Sequence, residues 1–476
     1  LSRPQLIEDW RPLLYTGLAL LCGGLAGLLV VMLPNPLVGF AAIFGLLVGG
    51  LMLARPAFTL GVILMVCCLL PYGVIPLKLG LTLTLLEASL LVLYAAWLFG
   101  LGMRARYEGA KLITSPFDWA IFLFVGLSIF SLILGLQTVS TSDIIHNYFK
   151  LLLAILAFFP VINLVRTQRM VDGLLKILML AGSLAGYIGT GLYVLNRDLQ
   201  ESLLVRLGIF GYPTDGRILR FRDDDPALAQ RATGTSVDPN NFGGMLVLVI
   251  ALLLTQLFSP RPLFRRWLLV LMLVGPCTSL YLTYGRGAQL GALGVIALIA
   301  TVKYRKIWLY ATPFIVAGWF ILPNTSLGAS FAAGFALQDQ STVLRLSEYQ
   351  NALDIIGRYP WFGIGFGPAP DPDLQAGVSS IYLMIGERMG LIGLAAFILL
   401  MVLFFVYIVP NFSRLQDERQ KANLLGLAGG VVGALAVGVL DHYFFNIEFS
   451  HMAALLWLFM ALAVAQIKIA KESTTV

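Results

Sequence analysis

Apolar runs of about 17 to 25 residues follow one another along the chain, separated mostly by short polar connections. This pattern excludes a fold built around one core in water. A helix of that length crosses the hydrocarbon layer of a membrane and satisfies every backbone group within itself. The runs lie near residues 13–33, 37–54, 57–75, 82–103, 116–136, 144–165 and 171–195. They continue near 242–258, 267–284, 286–302, 307–323, 381–409, 422–440 and 451–467. The expected fold class is therefore all-α, a polytopic integral membrane protein of about 12–14 transmembrane helices. Composition agrees: 59% of residues are hydrophobic and 12% charged, with a mean hydropathy of +0.87. A transmembrane barrel would alternate polar and apolar positions instead.

The charges give the expected topology. With the N-terminus inside, every connection on the cytoplasmic side carries a basic residue. Examples are Arg166 and Arg169; Arg261, Arg265 and Arg266; Lys303, Arg305 and Lys306; and Arg414, Arg419 and Lys421. Topology thus explains the net charge of +7 without a nucleic-acid partner. Both termini are then cytoplasmic, and the connections 196–241 and 324–380 are the long exterior ones. Against the rule, the exterior side carries Lys78 and a set of arginines: Arg197, Arg206, Arg217, Arg220, Arg222, Arg231, Arg286, Arg345, Arg358 and Arg388. A planar guanidinium grips phosphate and carboxylate at two points, so this set points to an anionic exterior ligand. Arg222 has Asp223, Asp224 and Asp225 as neighbours to pair with, whereas Arg231, Arg286 and Arg345 have no such acids beside them.

The segment from Thr342 to Gly390 is long enough to fold over a site. Leu346, Tyr349, Leu353 and Ile356 fall on one face of an amphipathic helix, with Arg345 and Glu348 off that face. Pro360 ends the helix, and Gly363, Gly365 and Gly367 are expected to form a flexible turn. Glu87, His146 and Lys150 sit near exterior span ends; each either joins the exterior site or locks helix packing.

Other chemistries find no footing. Cys22, Cys67, Cys68 and Cys277 lie in apolar runs, and no cysteine–histidine spacing fits a metal, so neither a disulfide nor a metal site is expected. No secretory leader is evident, because the first apolar run is too long for one. No phosphate-binding loop, nucleophile elbow or inverted repeat is recognisable.

Four motifs, in order, resemble the O-antigen ligase and polymerase superfamily of membrane enzymes, which join lipid-linked glycans to acceptors. They are RATGTSVDPNNFGGMLVL from Arg231, TYGRGAQLGAL with Arg286, RLSEYQNALDIIGRYPWFGIGFG from Arg345, and SSIYLMIGERMGLIGLAAF. They cover residues 231 to 410. The expected organisation is helices and a first exterior loop in 1–230, a ligase-like core in 231–410 with exterior loop 324–380, and C-terminal helices in 411–476.

The resemblance implies transfer of a glycan from an undecaprenyl-pyrophosphate carrier to a glycan or lipid acceptor, at the exterior face of a bacterial cytoplasmic membrane and without a cofactor. It implies that Arg231 and Arg286 hold the pyrophosphate and stabilise its departing charge, and that Arg345 orders the loop or touches a substrate. Asn240, Asn241, Lys150 and Glu348 complete the expected binding set. Where the family carries a loop histidine, this chain has Ser379 followed by Ser380, and no histidine lies in 324–380. A serine hydroxyl needs another group to take its proton. Candidate replacements are Glu348, Asp371, Asp373, Glu387, Asp441 and His442. The missing histidine leaves two alternatives: a non-catalytic member working beside other membrane subunits, or an anion transporter of bicarbonate-like cargo.

Overall fold

The computed structural model describes residues 36–75, 83–107, 112–136, 142–215, 218–321, 324–336, 340–371 and 373–475. The expected span 13–33 with Cys22, and the exterior Lys78 and Arg217, lie outside the described residues. From residue 37 onward, every expected span falls on a helix. Eight helices among the described residues are long and apolar enough to cross a membrane, and four further apolar helices are shorter. The only strands among them are β1 (Arg220–Phe221) and β2 (Gln230–Arg231), an antiparallel pair.

In chain order the helices begin with α1 (Pro36–Ala54), α2 (Pro56–Leu69), α3 (Leu85–Tyr107) and α4 (Asp118–Gly135). Next come α5 (Ser142–Leu156), α6 (Phe158–Leu164), α7 (Gln168–Val194) and α8 (Arg197–Arg206). Then follow α9 (Pro239–Phe258), α10 (Arg266–Leu282), α11 (Arg286–Val302), α12 (Lys306–Ile321) and α13 (Ser326–Phe335). The last are α14 (Gln340–Arg358), α15 (Ile381–Arg414), α16 (Glu418–Val437) and α17 (Ser450–Thr475).

Burial separates centre from rim. In α9 and α17, 89% of the apolar window is buried, against 33% in α3. These two helices, with α16 packed along α9, form the core, and the others ring them. The rim leaves large apolar side chains such as Phe122, Leu293 and Val406 exposed. That is the surface a lipid-facing helix needs.

Two ends of the bundle differ in chemistry. At one end the basic connections meet: Arg261 lies 3.0 Å from Asp417, Lys303 2.7 Å from Glu418, and Arg419 3.3 Å from Asp172. Just inside that end, Asn423 Nδ2 donates to Asp172 (2.9 Å) and Gln466 (3.1 Å), and Gln256 Nε2 donates to Asn423 (2.9 Å). This buried knot ties α7, α9, α16 and α17 together through satisfied polar groups. The site described below is at the opposite end.

One helix is broken there. Gly390 in α15 has φ 68° and ψ −175°, outside helical geometry. The segment after Pro360 inserts at the break. Ile364 N donates to Glu387 O (3.0 Å), Gly365 N to Arg388 O (3.0 Å) and Leu391 N to Pro360 O (2.7 Å). A Cβ on Gly390 would collide with the Trp361 carbonyl, and one on Gly363 with the Glu387 carbonyl. Gly363 and Gly365 have φ of 67° and 77°. The turn expected to be flexible is instead wedged between backbones, and glycine is required by that close approach.

Candidate functional site

The first arginine is built into the backbone of three elements. β2 carries Arg231 beside the start of α9, whose cap is Asp238: its Oδ1 accepts from Asn240 N and Asn241 N, each at 2.9 Å, with Pro239 as the first helical residue. Arg231 Nε donates to Thr283 O at 2.7 Å, just past the end of α10, and its Nη2 donates to Asn240 Oδ1. The guanidinium thus satisfies a carbonyl left open by a helix end. Burial lowers the pKa of Arg231, opposed by the negative charge of Asp238.

The second arginine opens α11. Arg286 follows Tyr284 (φ 51°), a non-glycine residue in left-handed conformation. Such backbone strain clusters at functional sites. Arg286 Nη2 donates to Thr342 Oγ1 at 3.1 Å and packs under Gly334 of α13. Its neighbour Gly287 lets Asp441 approach: a Cβ there would lie 2.9 Å from Asp441 Oδ2. Asp441 is therefore held beside the N-terminus of α11, where helix amides favour negative charge.

The third comes from α14. Arg345 Nη2 lies 3.6 Å from Asp441 Oδ1. Burial pushes the Asp441 carboxyl up to about 7, with Arg345 opposing the shift. The face of α14 turned inward carries Arg345, Glu348, Tyr349, Ala352 and Ile355, whereas Leu346 and Leu353 are exposed. The expected single face of Leu346, Tyr349, Leu353 and Ile356 is thus split. Leu346 and Leu353 face outward and the charged pair faces the protein, the arrangement favoured where the surroundings are apolar.

Along α14 from Arg345, starting at Leu344 and Ser347, lies a cavity of about 660 Å³. Its lining includes Glu348 and Asn351 from α14, Ser379, Arg388 from the broken end of α15, and His442 and Glu448 from the turn before α17. Glu348 Oε2 accepts from Ser379 Oγ at 2.6 Å and from Ser379 N at 3.0 Å. Tyr349 Oη lies 3.1 Å from Ser379 O and 3.0 Å from Val439 O, fixing the same strand of backbone. His442 Nδ1 is buried and makes no hydrogen bond among the described residues, and burial lowers its pKa. Glu387 is fully buried behind the cavity wall. Its Oε1 accepts from Gly377 N (2.9 Å) and lies 3.2 Å from Arg388 Nε, while Oε2 has no partner among the described residues.

Of the expected site residues, Arg231, Arg286, Arg345, Asn240, Glu348, Ser379, His442 and Glu387 come together at this end. Two do not. Asn241 is fully buried and bonds to Tyr72 Oη (3.0 Å) and His451 Nε2 (3.0 Å), so it pins α9 to α17 rather than facing the cavity. Lys150 lies 4.0 Å from Glu87 and donates to Asn147 at 3.2 Å. Glu87 also bonds His146 at 2.7 Å and forms a reciprocal cap with Thr84, so this trio joins α3 to α5. Among the other candidate bases, Asp371 and Asp373 are both held by Arg358, at 2.9 and 2.6 Å. Arg222 and Arg197 stack on Tyr284 and Phe221, at 5.8 and 5.0 Å from the ring centroids, a use that local acid pairing had not anticipated.

The family model described as O-antigen ligase matches residues 267–398. That stretch, rather than the whole chain, is similar to the O-antigen ligase family. The ligase-like region contributes Arg286, Arg345, Glu348, Ser379 and Arg388 to the site. Arg231, Asp441 and His442 lie outside the match and reach the site only through the fold. No curated protein matches the chain. Arg388, counted in the exterior arginine set but not among the expected site residues, lines the cavity; the charged pair Glu387–Arg388 within an apolar helix was the signal for it.

Proposed function

We propose that the protein transfers a glycan from an undecaprenyl-pyrophosphate carrier to an acceptor hydroxyl, at the exterior end of the bundle. The observation that carries this reading is the meeting of Arg231, Arg345 and Asp441 at the N-terminal end of α11, which Arg286 opens, with a cavity of about 660 Å³ one turn further along α14. Half-buried guanidiniums held at helix ends suit a leaving group that gains negative charge as its bond to the sugar breaks. The cavity offers hydroxyl, amide and charged groups together with aromatic rings, Phe366 and Phe445, which suits a hydroxyl-rich acceptor. The charge asymmetry of the connections supports the exterior assignment, because the basic connections gather at the other end. On this reading the protein sits in a bacterial cytoplasmic membrane with both termini inside.

The test is binding of undecaprenyl pyrophosphate to the purified protein, read by native mass spectrometry, with Arg231→Ala and Arg286→Ala compared to wild type. Binding by the wild type that both substitutions weaken at least tenfold supports the reading. No binding by the wild type, or binding indifferent to both changes, overturns it.

A further inference from the structure

The arginine cluster accounts for the leaving group but supplies no proton acceptor for the incoming hydroxyl. Several acids lie near enough to be considered, and their surroundings separate them. Glu387 is walled in, with one oxygen committed to Gly377 N and Arg388. Asp441 is paired with Arg345 and pressed against α11, and it does not line the cavity. Asp371 and Asp373 are clamped by Arg358. His442 lines the cavity, but its Nδ1 is buried and no hydrogen bond of that atom among the described residues orients the ring there.

Glu348 differs in each respect. It lines the cavity and forms no ion pair within 4.0 Å among the described residues. Both hydrogen bonds from Ser379, at 2.6 and 3.0 Å, fall on Oε2. Oε1 is left without a hydrogen bond among the described residues. We propose that Glu348 is the catalytic base of this site and that Ser379 is its positioning residue. This rests on the glycan-transfer reading above. In the step, the acceptor O–H gives its proton to the Glu348 carboxylate while its oxygen forms the new bond to the anomeric carbon. The bond from that carbon to the phosphate oxygen breaks, and its electron pair stays on the departing pyrophosphate, beside the arginines. The protonated Glu348 then returns its proton to water. Ser379 orients the carboxylate through its amide and hydroxyl, and Tyr349 in turn fixes the Ser379 carbonyl. A carboxylate on the amphipathic helix thereby does the work that the sequence leaves without a histidine.

The experiment uses the full chain in source cells whose own copy is deleted, complemented with variants. Glycan transferred and lipid-linked glycan accumulated are read by mass spectrometry. Glu348→Gln should lower transfer at least about 100-fold. Purified Glu348→Gln should still bind undecaprenyl pyrophosphate as wild type does, which separates lost chemistry from lost folding. In membranes carrying Glu348→Ala, added formate should restore part of the transfer, a readout that a purely structural glutamate would not give. Ser379→Ala should lose about tenfold, and Ser379→Thr should retain activity. Asp354→Asn, which alters an exposed acid on the outer side of α14, should transfer normally. Transfer by Glu348→Gln within threefold of wild type overturns the assignment, as does an absence of formate rescue or an equal loss at Asp354→Asn. If deletion and wild-type complementation leave lipid-linked glycan unchanged, the glycan-transfer reading itself fails.

Discussion

Arg345 Nη2 lies 3.6 Å from Asp441 Oδ1, and the two side chains are 19% and 4% exposed. The pair joins the inward face of α14 to the turn that follows α16, two parts of the chain nearly a hundred residues apart. It closes the site between the cavity and the helix end that carries Arg286.

This pair gives the site a pH dependence. Burial raises the Asp441 carboxyl to about 7. Below that pH it is neutral; above it, a negative charge sits beside Arg345 and Arg231 and competes with an anionic ligand. Affinity for undecaprenyl pyrophosphate should therefore fall severalfold as pH rises through about 7. Asp441→Asn should flatten that slope and bind at high pH as wild type does at low pH. Titration of binding by native mass spectrometry over the same range checks both.

Arg231 should not tolerate lysine. Its Nε and Nη2 reach Thr283 O and Asn240 Oδ1 from one rigid fork, which a single ammonium cannot reproduce. Arg231→Lys should weaken binding of the lipid pyrophosphate by about 2 kcal/mol or more. An unchanged dissociation constant would mean that the guanidinium only braces α9 against α10.

At the break in α15 we expect a stability effect out of proportion to the atoms added. Gly390→Ala puts a methyl group into the Trp361 carbonyl at positive φ. The backbone conformation alone costs about 1–3 kcal/mol for a residue with a Cβ, before the clash is counted. Thermal unfolding in detergent should occur well below the wild-type temperature. Gly357→Ala, in open space on α14, should leave it unchanged or slightly raised.

The polar knot at the other end should behave differently. Asn423→Leu leaves the Gln256 amide and the Asp172 carboxylate each short of a partner. A loss of about 1–3 kcal/mol in thermal stability is expected, with binding of the lipid pyrophosphate intact. A matching loss of binding would couple the two ends of the bundle.

Much of this was legible in the chain. Hydrophobic runs placed the helices, because a membrane span must be long, apolar and internally bonded. Arg231, Arg286 and Arg345 stood out as arginines without neighbouring acids, and all three reach the site. Lys150 and Asn241 were misplaced, since proximity in sequence to a span end does not say which neighbour a polar group meets. Leu346, Tyr349, Leu353 and Ile356 read as one face of α14, yet Leu346 and Leu353 are exposed while Tyr349 turns in to bond Ser379 O.

The sequence by itself determined that this chain forms a bundle of membrane-length helices, where their ends lie, and which arginines have no acid beside them in the chain. Those properties depend on hydrophobic length and on charge along the chain, which are local. Only the tertiary structure decided which polar groups share one space. It brought Asp441 to Arg345, set Ser379 on Glu348, and folded the Gly363–Gly365 turn into a broken helix. Each of these depends on contacts between distant segments, where a few ångströms and the exclusion of water set which groups pair.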